Sequence, residues 1–175
     1  MTTSADELFA ARLAFPVGDR VRGTVRAVPM GAGRAGVLVD LGQPPQGWVD
    51  VLYLPDEPTD WPAVGKAGLF EVLQHRPGQV RLFPLDAGMR GRRTLFSRWS
   101  GQEWAAITRR YPEGKVVVGT VTNVFPGNRS YTVTFDECSS AVEYEDNAPS
   151  VGWTGPFRVT RLLEWTHRIL LTPVT

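Results

Sequence analysis

The chain has 175 residues, 42% of them hydrophobic and 21% charged, and its 19 Lys/Arg against 18 Asp/Glu leave a formal net charge of +1. These are ordinary values for a soluble globular protein, and no apolar run approaches the roughly 20 residues that a membrane-crossing helix needs. One cysteine, Cys138, leaves no internal disulfide to form, and no Cys/His cluster has metal-ligand spacing. The opening residues MTTSADELF lack the basic and apolar regions of a secretory signal, so the expected location is cytoplasmic.

In chain order, Ser4 and Glu7 have the spacing of a capping box. Leu8, Ala11 and Phe15 then recur at helical spacing, and Pro16 stops the helix because it cannot continue the hydrogen-bond ladder. From there the period becomes two. Val21, Gly23 and Val25 share one face of a strand, while Arg20, Arg22, Thr24 and Arg26 share the other. A second strand turns Val37, Val39 and Leu41 inward. In Trp48-Val49-Asp50-Val51 the valines are expected inside and the Trp and Asp outside, and 69–72 and 79–82 supply two more strands. The Gly-rich stretch from Gly31 to Gly36 is only superficially a phosphate loop, since a strand rather than a helix follows it.

Residues 88–110 carry Arg90, Arg92, Arg93, Arg98, Arg109 and Arg110 against Glu103 alone, whereas 1–87 and 111–175 each have an acidic excess of two. The basic charge thus sits between two similar halves. Residues 4–28 realign on 100–124 at a constant offset of 96 without a gap, sharing Ser, Glu, Ala, Pro, Gly, Val, Gly-Thr-Val and Val. Recurrence at a fixed period reads as two copies of one supersecondary unit. Ser100 with Glu103 repeats the capping box, Trp104, Ile107 and Tyr111 repeat the helix face, and Pro112 repeats the stop. Five strands follow again, through Val117/Val121, Tyr131/Val133/Phe135, Val142/Tyr144, Phe157/Val159 and Ile169/Leu171. Five short strands with Gly and Pro turns favour a closed barrel, which leaves no sheet edge exposed. The reading is mainly β: two tandem five-stranded OB-fold barrels, each preceded by a short amphipathic helix. Residues 1–87 form the first, 88–99 a basic linker and 100–175 a more diverged second.

The series Gly18-x-x-Val21-x-Gly23-x-Val25, the Gly-rich turn into Val37-Leu38-Val39-Asp40-Leu41, Gly47-Trp48-Val49-Asp50, and Val64-Gly65 before the closing strands resembles the S-one-type RNA-binding domain, an OB-fold module. The resemblance implies single-stranded RNA as ligand. It covers 16–84 well and 112–173 more weakly. The family's Phe-Gly-Ala-Phe, whose rings stack on bases, stands here as Ala35-Gly36-Val37-Leu38, and its histidine is replaced by Asp50 and by Glu143. Gln79 stands where the family has Arg, which the second copy keeps as Arg168.

The candidate nucleic-acid contacts are the stripe Arg20, Arg22 and Arg26, with Arg34 in the following turn, Trp48 as a stacking platform, and Arg90, Arg92, Arg93 and Trp99 in the linker. A basic groove with aromatic platforms is how an OB barrel takes a single strand of RNA or DNA. The plain alternative is that the arginines only solvate an outer strand face, that Trp48 is tucked under a neighbour, and that Leu95, Phe96 and Trp99 dock the linker on the barrels. In the second copy Val116, Val118, Thr120 and Thr122 replace the stripe. A strand apolar on both faces is expected to be covered on both, by the first copy, the linker helix, a protein partner or a second copy of the chain. His75 and His167 read as capping or surface residues, and Cys138 sits in an acidic setting that opposes thiol activation. The scattered acids Asp136, Glu137, Glu143, Glu145 and Asp146 read as a solvated loop, not an EF-hand. We therefore expect no enzyme, no cofactor, no metal and no membrane partner. The alternative function is a protein-interaction module whose RNA platform has been lost; six tryptophans favour it, because exposed Trp marks interfaces.

Overall fold

The computed structural model describes residues 3–29, 35–91 and 99–175. The chain divides into two units, Met1–Leu95 and Phe96–Thr175. Each opens with a helix, α1 (Ser4–Ala14) and α2 (Gly101–Arg110). Helix α2 starts at the expected capping box, with the Ser100 hydroxyl accepting from the Glu103 N–H and the Glu103 carboxylate accepting from the Ser100 N–H. Helix α1 corrects the sequence reading by one residue. Its cap is Thr3, whose extended backbone lets the hydroxyl accept from the Asp6 N–H while the Asp6 carboxylate accepts from the Thr3 N–H. These bonds hold the Asp6 and Glu103 carboxyls below their usual pKa range. Leu8, Ala11 and Phe15 are buried, as are Trp104, Ile107 and Tyr111.

Strands β1 (Arg20–Ala27), β2 (Gly36–Asp40), β3 (Gln46–Asp50), β4 (Ala67–Arg76) and β5 (Gln79–Pro84) close a barrel in the order β1-β2-β3-β5-β4. Neighbours are antiparallel except for β3 and β5, which run parallel and seal it. That is the architecture of an OB barrel. The interior holds Val25, Val37, Val39, Val49, Phe70, Val72, Val80 and Leu82, every second residue of its strand. Val51 does not join them: β3 ends at Asp50, whose carboxylate accepts from the Leu52 N–H and starts a 3-10 turn that leaves Val51 exposed.

Unit two contains β6 (Val116–Phe125), β7 (Ser130–Phe135), β8 (Cys138–Glu143), β9 (Thr154–Leu163) and β10 (Arg168–Pro173) in the order β10-β9-β6-β7-β8. The neighbours are those of the first barrel with one ladder missing. Strands β8 and β10 pass alongside each other without pairing, so this sheet is not hydrogen-bonded into a closed barrel as expected. Local geometry nevertheless recurs. Gly18 and Gly114 have φ of 87° and 90°, and their N–H groups both bond a carbonyl 2.8 Å away, on Val72 and Val159. Gly65 and Gly152, with φ of 90° and 88°, bond Val25 and Val121 in the same way. Left-handed backbone at these four turns is what glycine supplies at no steric cost. Bulges recur too: Arg26 and Thr122 are the extra residues of β1 and β6, and Leu73 and Thr160 those of β4 and β9.

The bulge at Leu73 corrects a second expectation. It shifts the alternation by one, so His75 faces inward opposite Val80 and is fully buried. Its Nε2 lies 2.6 Å from the Phe15 carbonyl oxygen, tying the end of α1 to β4.

At the matching end of unit two, the Tyr111 hydroxyl donates to the Asp136 carboxylate, and Arg110 bonds both Asp136 and Glu137. Burial, then the Asp136 contact, raises the Tyr111 pKa above its usual 10.0. Burial also raises that of Tyr131. Above about pH 10 the unfolded chain therefore loses these protons before the folded one does. The stabilisation is complete below that pH and is lost as pH rises further. The expected result is a melting temperature for this unit that falls steeply above pH 10 and less steeply in Tyr111→Phe, measured by circular dichroism.

Candidate nucleic-acid interface

Alternation along β1 sends Gly23 and Val25 into the first barrel and Arg20, Arg22, Thr24 and Arg26 out to solvent. Among the described residues, none of these three arginine side chains enters an ion pair or hydrogen bond. Arg20 and Arg22 stand opposite Glu71 and Leu69 of β4, and the Glu71 carboxylate is buried. Arg26, the bulged residue, lies on the other side of β1, facing β2.

Register across the sheet then builds a row. Ala27, next to Arg26, pairs with Leu38; Leu38 pairs with Trp48; Trp48 pairs with Arg81 of β5. Strands about 4.8 Å apart place these four positions across some 14 Å of outer surface. The row reads alanine with the bulged Arg26 beside it, then aliphatic, indole and cation. Behind this row lie Thr24, Asp40, Gln46 and Gln79, and ahead of it Asp50.

Trp48 is half-buried because its indole leans across β2 at Gly36. A Cβ on Gly36 would sit 2.7 and 2.8 Å from two indole carbons and against the Val49 carbonyl oxygen, so only glycine leaves the indole this room. The Arg81 guanidinium lies 5.7 Å from the indole centroid and bonds Asp50 Oδ2 at 3.5 Å, the long limit of such a contact. Trp48 Nε1 and Arg81 Nε are buried with no hydrogen-bond partner, which costs about 1–3 kcal/mol per group. Burial lowers the Arg81 pKa, the nearby Arg76 charge acts in the same sense, and Asp50 opposes both.

Arg26 and Trp48 thus share one face. Arg20 and Arg22 extend it along β1. Arg34, Arg92 and Arg93 lie outside the described residues. Arg90 is half-buried and already engaged. Trp99 is partly buried against the core of unit two, and its carbonyl meets His167 Nδ1 at 3.1 Å, an arrangement that fits the docked alternative. His167 in turn stacks on Trp104, 5.0 Å between centroids. In unit two, Val116 and Val118 are 45% and 69% exposed among the described residues, beside Arg158 and Pro156. Trp153 and Trp165 are also exposed.

Arg81 was missed in sequence. Its only signal was its outward place in Gln79-Val80-Arg81-Leu82, and nothing local tells that β5 will lie beside β3. Leu38 was noted only as a lost aromatic, yet it fills the gap between Arg26 and Trp48. Among the described residues no group of three or more His, Cys, Asp or Glu has metal-binding geometry, and no helix is long and apolar enough to cross a membrane.

No protein-family model matches the chain, and no curated protein matches it. Among solved structures it is similar to a multidomain protein with nucleic acid binding domains from Streptococcus pneumoniae TIGR4, at 14% identity and a TM-score of 0.33, over 90% of this chain and 51% of that one. It is also similar to GSP13 from Bacillus subtilis, at 23% identity and a TM-score of 0.33, over 39% of this chain and 55% of that one. A third similarity is to Drosophila Unr CSD456, at 9% identity and a TM-score of 0.28, over 94% and 66%. The chain spans about half the length of the first two.

Proposed function

We propose that this protein binds single-stranded nucleic acid, RNA in preference to DNA, through the outer face of its first barrel, without catalysis. The single observation that carries the reading is the row Ala27, Leu38, Trp48 and Arg81 across four strands, with the bulged Arg26 beside its first member. Arg20 and Arg22 continue its positive edge as unpaired, exposed cations. In this scheme the phosphates start along β1 and the strand then crosses β2 toward Trp48, so that a later phosphate comes within reach of Arg81 on β5. Arg81 leaves the indole for a phosphate, and a base takes the vacated ring face. Stacking of that kind contributes about 1–3 kcal/mol per base. The series of motifs shared with S-one-type domains favours RNA.

The test is a titration of the full chain with a labelled poly-pyrimidine RNA at 50 and 200 mM salt. Binding should weaken clearly at the higher salt. Trp48→Ala should lower affinity about 5- to 100-fold with little change in the salt slope, because it removes a stack and no charge. Affinity that ignores both salt and Trp48 would contradict the reading.

A second reading applies to the other unit. The exposed Val116 and Val118, where unit one has Arg20 and Arg22, favour a protein partner or a second copy of the chain there. Sedimentation of wild type against Val118→Lys separates these from a solvated monomer.

A further inference from the structure

An acidic residue beside a phosphate-binding path is a cost unless it reads something. Two such residues flank Trp48. Asp50 lies two positions along the same strand face, and Asp40 lies two positions beyond Leu38, the residue paired with Trp48, and so diagonal to it. Both positions are about 7 Å from Trp48, the width of one pyrimidine ring and its edge. In each carboxylate one oxygen is already fixed. Asp40 Oδ1 accepts from the Gly42 N–H at 2.8 Å, and Asp50 Oδ1 accepts from the Leu52 N–H at 3.0 Å. These bonds orient the carboxylates and leave Oδ2 of each as a directed acceptor. On Asp50 that oxygen holds Arg81 at the long distance of 3.5 Å; on Asp40 it has no partner among the described residues.

Resting on the nucleic-acid reading above, we propose that Asp50, assisted by Asp40, accepts a hydrogen bond from the amino group of a base stacked on Trp48, so that the face selects cytosine over uracil. The two bases have nearly the same size and the same π-face, and they differ at one edge. Cytosine presents an N4 amino donor to a carboxylate, while uracil presents O4, an acceptor, and meets repulsion. Binding exchanges partners: Arg81 passes from Asp50 to a phosphate, and the amino group takes the oxygen Arg81 leaves. With cytosine Asp50 Oδ2 exchanges the Arg81 donor for the N4 amino group, whereas uracil leaves that oxygen facing an acceptor.

The experiment compares poly-C and poly-U, as labelled homopolymers of equal length, on wild type, Asp50→Asn and Asp40→Asn. Wild type should prefer poly-C by at least about fivefold. The ratio should fall to about one in Asp50→Asn and fall partway in Asp40→Asn. Asparagine keeps an Oδ1 acceptor for the Leu52 or Gly42 N–H, and removing a negative charge should hold or raise poly-U affinity, which also reports that each variant is folded. Equal wild-type binding of both polymers overturns the selectivity and leaves the nucleic-acid reading standing. A poly-C preference that survives both substitutions overturns the assignment to these carboxylates. Binding of neither polymer overturns the function and the selectivity together.

Discussion

Replacing Arg20, Arg22 and Arg26 together with alanine is expected to weaken single-stranded RNA binding on the order of a hundredfold, at about 1 kcal/mol per charge-assisted contact. It should also flatten the dependence of log K on log salt by about two, since each phosphate contact to a single strand contributes about 0.7. Fold stability should hardly move. All three side chains point to solvent without an ion pair among the described residues, and such surface changes are usually within about 0.5 kcal/mol. The combination separates a binding role from a solvating one. Arginines that only wet the outside of β1 would change neither the affinity nor the slope. The measurement is a fluorescence-anisotropy titration at four salt concentrations, with a thermal melt of the same sample.

Truncating one core phenylalanine in each unit should have a larger effect on stability and opposite effects on binding. Phe70 and Phe157 are both fully buried, each in the interior of its own unit. Removal of either ring is expected to cost about 3–5 kcal/mol, a large share of the 5–15 kcal/mol that small domains typically have. In Phe70→Ala the pairing of β4 with β1 and β5 is undermined. The row containing Arg26, Trp48 and Arg81 loses its base, so RNA binding should disappear with the first unit's melting transition. Phe157→Ala should lower the melting temperature of the other unit and leave binding intact at temperatures where unit one is folded. Calorimetry with a parallel RNA titration gives both quantities. Loss of binding in Phe157→Ala alone would move the site to unit two.

Much of the fold is readable from residue order. Period-two alternation finds the inward residues of β1 and β2 because burial on one strand face is a local property. The helix faces are equally legible, and so are the turn glycines, since left-handed backbone is cheap only for glycine. Three things are hidden. Bulges insert a residue that alternation cannot foresee, which is why His75 reads as exposed yet is enclosed. Pairing of distant strands is set by closure of the barrel, so the meeting of Arg81 with Trp48 depends on β3 and β5 lying parallel, residues 46–48 against 79–81. A ladder that fails to form, as between β8 and β10, leaves no mark on either strand. For the site, the charge stripe was visible because Arg20, Arg22 and Arg26 are neighbours in sequence. In sequence Trp99 admits two readings, base platform or docked linker, because nothing near it announces His167 or the core it joins.

The two units also show how one backbone plan takes different surfaces. Gly23 and Gly119 both leave space for a core valine from the next strand, Val39 and Val133. The inner faces of β1 and β6 are thus under the same constraint. Their outer faces are not, and there Arg20 and Arg22 give way to Val116 and Val118. Unit two has no charged side chain along β6 to meet a phosphate.

The most direct measurement is a residue-resolved amide-shift map of the full chain titrated with single-stranded RNA. The largest changes should fall on Arg20, Arg22, Arg26, Leu38, Trp48, Asp50 and Arg81, with the indole N–H of Trp48 moving as Arg81 departs. Changes centred on Val116, Val118 and their neighbours in unit two, or none anywhere at saturating RNA, would contradict a binding face on the first barrel.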